Sequence, residues 1–239
     1  MSLLTKMFQA GSLSDEETIG ELTKRLQVGE KEKNWGKLCL LQGLLATGQA
    51  TLLLGQARGP GDINTLILCI LPTIVQLCST PSSFTFHAFS LLKLWSSRLA
   101  TICRQVATDT EQRFTVTVPE SIVREVLRLC AANLESSHRG VPDACLVTYR
   151  QVLALTEGAW CAKDRAALVS TLLSEVLSLP WSQKAKYPTL VALLPEAGLT
   201  TVLEKAPTLP TELVTSLASD HLVPAGTEVF CPPLLPDEL

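Results

Sequence analysis

The chain has 239 residues and a net charge of −3, and 46% of its residues are hydrophobic although only 5% are aromatic. This length is sufficient for one large domain or a short series of helical repeats, and the leucine- and alanine-rich composition favours helices over strands. A self-sufficient nucleic-acid-binding domain is usually basic, so the acidic balance argues against one.

The longest apolar run extends from Leu66 to Val75 and is interrupted by Pro72 and Thr73. A membrane-spanning helix needs roughly 20 apolar residues, so this run predicts a buried helix and no membrane insertion. The N-terminal segment is too short and too polar for a signal peptide. We therefore expect a soluble protein.

The first predicted helix begins at Ser14, which forms a capping box with Glu17. A second helix is expected over about 33–47, and a third over about 64–79, kinked at Pro72. The glycine-rich stretch between them, from Gly55 to Gly61, is typical of a loop.

A long helix is predicted over about 83–106, with one apolar stripe made by Phe86, Phe89, Leu92, Trp95 and Leu99. The strand-like residues 115–118 have no partner strand, so we interpret them as a connector. Pro119 then opens a helix. Its expected inward residues are Ile122, Val126, Leu129 and Cys130, and its expected outward residues are Arg124, Glu125 and Arg128.

Pro142 opens the next predicted helix, whose apolar face carries Cys145, Tyr149, Val152 and Leu153. Over 164–179 apolar pairs repeat every four residues, and Pro180 ends the pattern. Shorter helices are expected over about 187–194, 199–205 and 210–217.

These elements predict an all-α fold, because about ten helices and no convincing strand are found. A helix pair takes about 40 residues, which is the length of HEAT and armadillo repeats, so we expect a helical repeat solenoid. A globular helix bundle is the alternative. The expected organisation is an N-terminal tail over 1–13, a repeat region over 14–230 and an irregular C-terminal tail over 231–239.

No arrangement of residues predicts catalysis, a cofactor site or a metal site. The only glycine cluster lies between helices and lacks the Lys-Ser/Thr pair of a phosphate loop. The histidines, His87, His138 and His221, are isolated, and His87 is expected to pack beside Phe84 and Phe86. We therefore expect a protein that is not an enzyme and binds no cofactor.

The eight cysteines are scattered, without the C-x-x-C spacing of a zinc or redox site. Most lie within apolar helical patterns, where a free cysteine behaves as a small hydrophobic residue. This usage predicts reduced cysteines in a cytoplasmic protein.

Two aromatic residues and two lysines are concentrated in the stretch from Trp181 to Tyr187, at a junction between helices. Functionally, lysines suit phosphate and an aromatic ring suits stacking. Structurally, the aromatic residues would instead wedge the junction and the lysines would be solvated. With two outward arginines of the preceding region, the candidate RNA or partner contacts are Arg124, Arg128, Trp181, Lys184, Lys186 and Tyr187.

The stretch Leu177-Ser-Leu-Pro-Trp181-Ser-Gln-Lys184-Ala-Lys186-Tyr187 resembles the Leu-x-x-x-Trp-x-x-Lys-Gly-Lys-Tyr segment of the thyroid adenoma-associated (THADA) protein family. The likeness continues, in order, over residues 198–203 and 219–224, and residues 138–144 resemble a His-Pro-Leu-Asp-Ala segment. After Asp143 the chain departs from the basic run of the family. The family protein is several times longer, so we expect a fragment or a short isoform.

The resemblance implies a HEAT/armadillo-type solenoid that is the non-catalytic partner of an FtsJ-type tRNA methyltransferase. This pair 2′-O-methylates nucleotide 32 of the tRNA anticodon loop, with S-adenosylmethionine bound by the catalytic subunit. The leading hypothesis is therefore a scaffold or regulatory subunit whose partners are that enzyme and tRNA. The alternatives are a generic protein-interaction adaptor without an RNA role and a helical enzyme.

Overall fold

The computed structural model describes residues 34–47, 53, 66–80, 82–108, 118–157 and 160–217. Within these ranges the chain is all-helical, as expected, and contains no strand. The ten helices are α1 (Asn34–Thr47), α2 (Leu66–Cys69), α3 (Leu71–Ser79), α4 (Thr85–Thr108), α5 (Glu120–Ala132), α6 (Val141–Leu155), α7 (Ala162–Leu177), α8 (Lys186–Ala197), α9 (Leu199–Lys205) and α10 (Leu209–Leu217).

Several predicted features lie outside the described residues. They are the N-terminal tail, the capping box at Ser14, the Gly55–Gly61 loop, most of the 115–118 connector, the 219–224 segment, and the C-terminal tail. Among the helices that are described, none combines the length and apolar character needed to cross a membrane.

Prolines define several helix starts and ends. Pro119 is the N-cap of α5, and α7 stops three residues before Pro180. At Pro72 the expected kink is a complete break: α2 ends at Cys69, and Pro72 lies in the first turn of α3. A proline there sacrifices no hydrogen bond, because the first-turn amides have no partner within the helix.

The buried faces differ from the predicted ones at the ends of α4 and across α5. Phe86 is 44% exposed, although the periodicity places it on the buried stripe of α4. On α5 the fully buried residues are Val123, Val126, Leu127 and Cys130, whereas Ile122 and Leu129 are only partly buried. The buried face of α5 is thus rotated by about one residue from the expected one.

The helices pack in a definite order along the chain. Consecutive helices pair as α3 with α4, α5 with α6, and α7 with α8. The second helix of each pair also contacts its counterpart, so that α4 packs against α6 and α6 against α8. Helix α1 packs against α4 as well. The first helices α3 and α5 are likewise in contact.

One continuous hydrophobic core runs through these helices, from Leu38 in α1 to Leu209 in α10. Trp95 of α4 is fully buried, and its indole nitrogen donates to the carbonyl of Ile67, 2.6 Å away. The side-chain amide of Gln151, on α6, donates to the Ser97 hydroxyl of α4 at 2.9 Å. These two hydrogen bonds pair polar groups across helix interfaces, which favours one register of the neighbouring helices.

Candidate functional site

The residues 178–185 form the turn between α7 and α8, called here the junction turn. Immediately after it, Lys186 is only 2% exposed, and its ammonium donates to the carbonyls of Leu177 (3.1 Å) and Leu179 (2.6 Å). Carbonyls at a helix C-terminus lack intrahelical partners and lie at the negative end of the helix dipole, so a cation is favoured there. Lys186 thus caps α7.

The Lys186 ammonium also lies 3.8 Å from the centroid of the Trp181 ring, which gives a cation–π contact. Burial lowers the pKa of Lys186 below its ordinary value, and the nearby Glu212 carboxylate opposes this shift. The expectation that this lysine is solvated is therefore wrong, since its side chain is only 2% exposed. Its ammonium is engaged by the two carbonyls and the Trp181 ring, and its role as an RNA or partner contact stays a prediction.

Trp181 and Tyr187 wedge the junction, as the structural interpretation expects. The Trp181 indole donates to Glu212 at 3.0 Å, and the Tyr187 hydroxyl donates to the Trp181 carbonyl at 3.1 Å. Hydrogen bonds from Thr208 and from Trp181, together with the charge of Lys186, hold the pKa of Glu212 below its usual range. Because Glu212 belongs to α10, these contacts attach α10 to the junction turn.

Lys184 is the exposed cation of the junction turn, in contrast to Lys186. The turn is anchored at its end, where the Ala185 amide donates to the Glu135 carboxylate at 2.7 Å. Since Glu135 follows α5, this bond ties the junction turn to the preceding helix pair. Lys184 is thereby held on the surface between two helix pairs.

A cavity of about 230 Å³ lies between α5 and α7, with α6 and the junction turn as its other walls. Its apolar lining comes mainly from Leu127, Ala131, Leu172, Val176 and Leu179. Polar groups on its lining come from Arg128, Tyr149, Glu175 and Gln183. Burial raises the pKa of Tyr149 above its ordinary value, with smaller contributions from Cys130 and Glu175. Its hydroxyl is therefore neutral and able to donate a hydrogen bond at ordinary pH.

The structure brings part of the predicted contact set together around this cavity. Arg128 lines it, and so do Gln183 and Ala185, the two neighbours of Lys184. Arg124 does not line it; its guanidinium pairs with Glu120 at 2.6 Å on the same helix. We call Arg128, Lys184 and this cavity the junction site.

The described cysteines form no reactive centre. Cys78, Cys130 and Cys145 are buried, and burial raises the pKa of Cys78 and Cys103, the latter to about 11. Cys130 has a raised pKa chiefly through its hydrogen bond with Cys145. Such thiols are protonated at neutral pH and act as small hydrophobic groups. In contrast to the expectation for most cysteines, Cys39, Cys69 and Cys161 are exposed. Within the described ranges, no group of three His, Cys, Asp or Glu residues has the geometry to hold a metal ion.

A second surface feature was missed by the sequence analysis. His87 is exposed at the boundary of the fold, where it makes ring contacts with Phe86, as expected, and with Trp35. Trp35 is itself 46% exposed. The density of aromatic residues at the start of α4 is the only sequence signal for this surface, and the helical period assigns Phe86 to the core.

The chain matches no protein-family model, no curated protein and no solved structure. The resemblance to the THADA family, which depends on an ordered series of short motifs, accordingly stays a hypothesis.

Proposed function

We propose that the chain is part of a HEAT/armadillo-type solenoid that acts as a non-catalytic scaffold subunit for an FtsJ-type tRNA methyltransferase. The observation that carries this proposal is the serial packing of three helix pairs, in which α4, α6 and α8 contact one another in chain order. The pairs begin at Leu71, Glu120 and Ala162, at intervals of about 40–50 residues, close to the HEAT and armadillo repeat length. Repeats that contact only the repeats next to them in the chain are typical of solenoids.

A scaffold of this kind assists a reaction by holding two molecules together. It raises the effective concentration of tRNA at the enzyme and restricts the orientation of the ribose that is methylated. The proposed reaction is 2′-O-methylation of nucleotide 32 in the anticodon loop, and the methyltransferase supplies the S-adenosylmethionine site. The continuous core suits this task, because one packed body transmits little relative motion between its helix pairs.

We assign the junction site to contact with the methyltransferase. Its exposed cations, Arg128 and Lys184, are accompanied by exposed acids: Glu175 lines the cavity, and Glu135 accepts from the Ala185 amide. A mixed surface around an apolar cavity suits a protein partner better than the uniformly negative phosphate backbone of RNA. Trp181 and Lys186 contribute by fixing the turn that presents Lys184.

The test is a reconstitution of methylation. The chain, or the longer protein that contains it, is combined with the methyltransferase and an anticodon stem-loop, and methylation of nucleotide 32 and co-purification are measured. Reversing both cations of the junction site, with Arg128→Glu and Lys184→Glu, is expected to weaken co-purification about tenfold or more. Arg150→Glu, on an exposed position of α6, is the matched control. Failure of the unaltered protein to co-purify and to raise methylation would refute the proposal.

A second candidate is a generic protein-interaction adaptor without an RNA role. It is favoured by the acidic C-terminal part of the chain, because residues 184–239 contain three lysines, no arginine and seven acidic residues. Purification of the tagged protein from cytosol, with and without ribonuclease, separates the two candidates. Partners that persist after ribonuclease and include no methyltransferase would favour the adaptor.

A further inference from the structure

Four aromatic side chains form a continuous row at the amino ends of α1 and α4. The Trp35 ring lies 5.0 Å from that of Phe84 and 5.4 Å from that of His87, between centroids. The Phe86 ring follows, 5.5 Å from His87. These four residues are called here the aromatic edge.

The aromatic edge is exposed on one side and held firmly on the other. Trp35 and Phe86 are 46% and 44% exposed, whereas Phe84 packs against the core. Phe86 lies so close to Gly140 that an ideal Cβ there would be 2.6 Å from a ring carbon, and Gly140 has a φ of +83°. Exposed tryptophan and phenylalanine rings, joined here through His87, on a fixed support are typical of a binding surface.

An exposed cation lies at this edge, because Arg139 directly precedes Gly140, against which the Phe86 ring packs. Lys37 follows Trp35 by two residues on α1, a spacing that places it on another face of that helix. The first turn of α6 carries the acidic residue Asp143. The amino ends of α1, α4 and α6 meet at this edge, and their dipoles add to the attraction for anions.

We propose that the aromatic edge binds unpaired nucleotides of single-stranded RNA. Bases stack on Trp35 and Phe86, and a phosphate between them lies near Arg139. Exposed rings beside a cation form the combination that single-strand binding requires, since every base has a π-face and every linkage a negative charge. A proline-rich peptide could also pack on exposed rings, but it would leave the charge of Arg139 unpartnered.

This inference goes beyond the proposed function, because it places the RNA contact that such a scaffold needs on a named surface of this chain, separate from the junction site. It is tested without the methyltransferase, by fluorescence anisotropy of a labelled single-stranded RNA of about 12 nucleotides, a length within the range of single-strand binding sites. Removing one stacking ring, by Trp35→Leu or Phe86→Leu, is expected to weaken binding roughly five- to 150-fold. Val214→Ala, at a 70% exposed position on α10, is expected to leave binding unchanged.

The contribution of Arg139 is tested separately, through the salt dependence of RNA binding. Arg139→Ala is expected to reduce the slope of log affinity against log salt by about 0.7, the value for one phosphate contact on a single strand. Arg150→Ala, further along the same helix, is the control and is expected to leave the slope unchanged.

Three results would overturn the inference: no binding at low salt, equal competition by blunt duplex RNA, or full affinity in both Leu variants. Binding of a proline-rich peptide in place of RNA would also overturn it. Circular dichroism establishes that each variant is folded. If the Leu variants lose RNA binding and methylation depends on the junction site, both proposals are supported. If the Leu variants keep full RNA affinity, only the aromatic-edge proposal is refuted. If methylation does not depend on the junction site, only the proposed function is refuted.

Discussion

Replacement of Lys186 by methionine tests whether a buried ammonium stabilises the junction turn. Methionine has a similar shape and is apolar, so the change removes the two hydrogen bonds to Leu177 and Leu179 and leaves the volume nearly filled. Each hydrogen bond from a charged donor contributes roughly 1.5–3 kcal/mol, so two such bonds contribute about 3 kcal/mol at the low end of this range, before the cost of burying the charge is counted.

Part of this contribution is offset, because burying the charge is itself unfavourable, as the lowered pKa of Lys186 indicates. We therefore expect Lys186→Met to reduce the free energy of unfolding by about 2 kcal/mol. For a chain of this length the midpoint temperature would fall by about 4–8 °C. Both quantities can be measured at neutral pH by urea and thermal unfolding, followed by far-ultraviolet circular dichroism.

The matched control is Lys184→Met, which changes the neighbouring exposed lysine in the same way. It is expected to alter the free energy of unfolding by no more than about 0.5 kcal/mol, as for most surface substitutions. If Lys186→Met is as stable as the unaltered protein, or if the two variants lose equal stability, the two carbonyls do not need the ammonium. The reasoning about the cap of α7 would then be wrong.

Three further predictions concern other parts of the fold. Glu212→Gln is expected to have a lower free energy of unfolding than the unaltered protein at pH 7, as measured by urea titration. Because the folded pKa of Glu212 is depressed, this difference in free energy should shrink as the pH falls below the ordinary value of 4.5, and vanish below the folded pKa. Cys78 and Cys130 should resist iodoacetamide in the native state and react after unfolding, while the exposed cysteines react first; mass spectrometry measures the labelling of each residue. Rapid labelling of Cys78 or Cys130 in the native protein would contradict their buried positions. Gly140→Ala should reduce the free energy of unfolding by about 1–2 kcal/mol, since the φ of Gly140 is positive and a Cβ there would clash with the Phe86 ring. Gly36→Ala, in open space on α1, should instead increase the free energy of unfolding by about 0.5–1 kcal/mol. Equal effects of the two substitutions would show that neither the positive φ nor the Phe86 contact matters.

The two lysines of the junction show where sequence reasoning ends. Lys184 and Lys186 are two residues apart in the same polar stretch, and no local signal separates them. The structure buries one and exposes the other, because only Lys186 reaches the carbonyl end of α7 and the face of Trp181. That arrangement depends on the path of the turn, which a linear pattern does not encode.

The cavity and the aromatic edge have the same origin in three-dimensional packing. Arg128 and Gln183 are separated by more than 50 residues, and they meet because α5 and α7 lie on either side of one cavity. Phe86 satisfies the apolar period of α4, yet it stays 44% exposed and packs against Gly140 at the surface. A helical period identifies a face, but the partner helices decide how far along it burial extends.

The amino-acid sequence alone determined the helical class of the described residues and most helix boundaries. Prolines at 119, 142 and 180 and four-residue apolar repeats act within a few turns of the chain, where hydrogen bonding and sterics are local. Only the tertiary structure decided that Val123 and Leu127 join Val126 and Cys130 on the buried face of α5, which lysine caps α7, and which distant residues form the junction site and the aromatic edge. These outcomes depend on contacts between helices far apart in sequence, where burial free energy outweighs local preference.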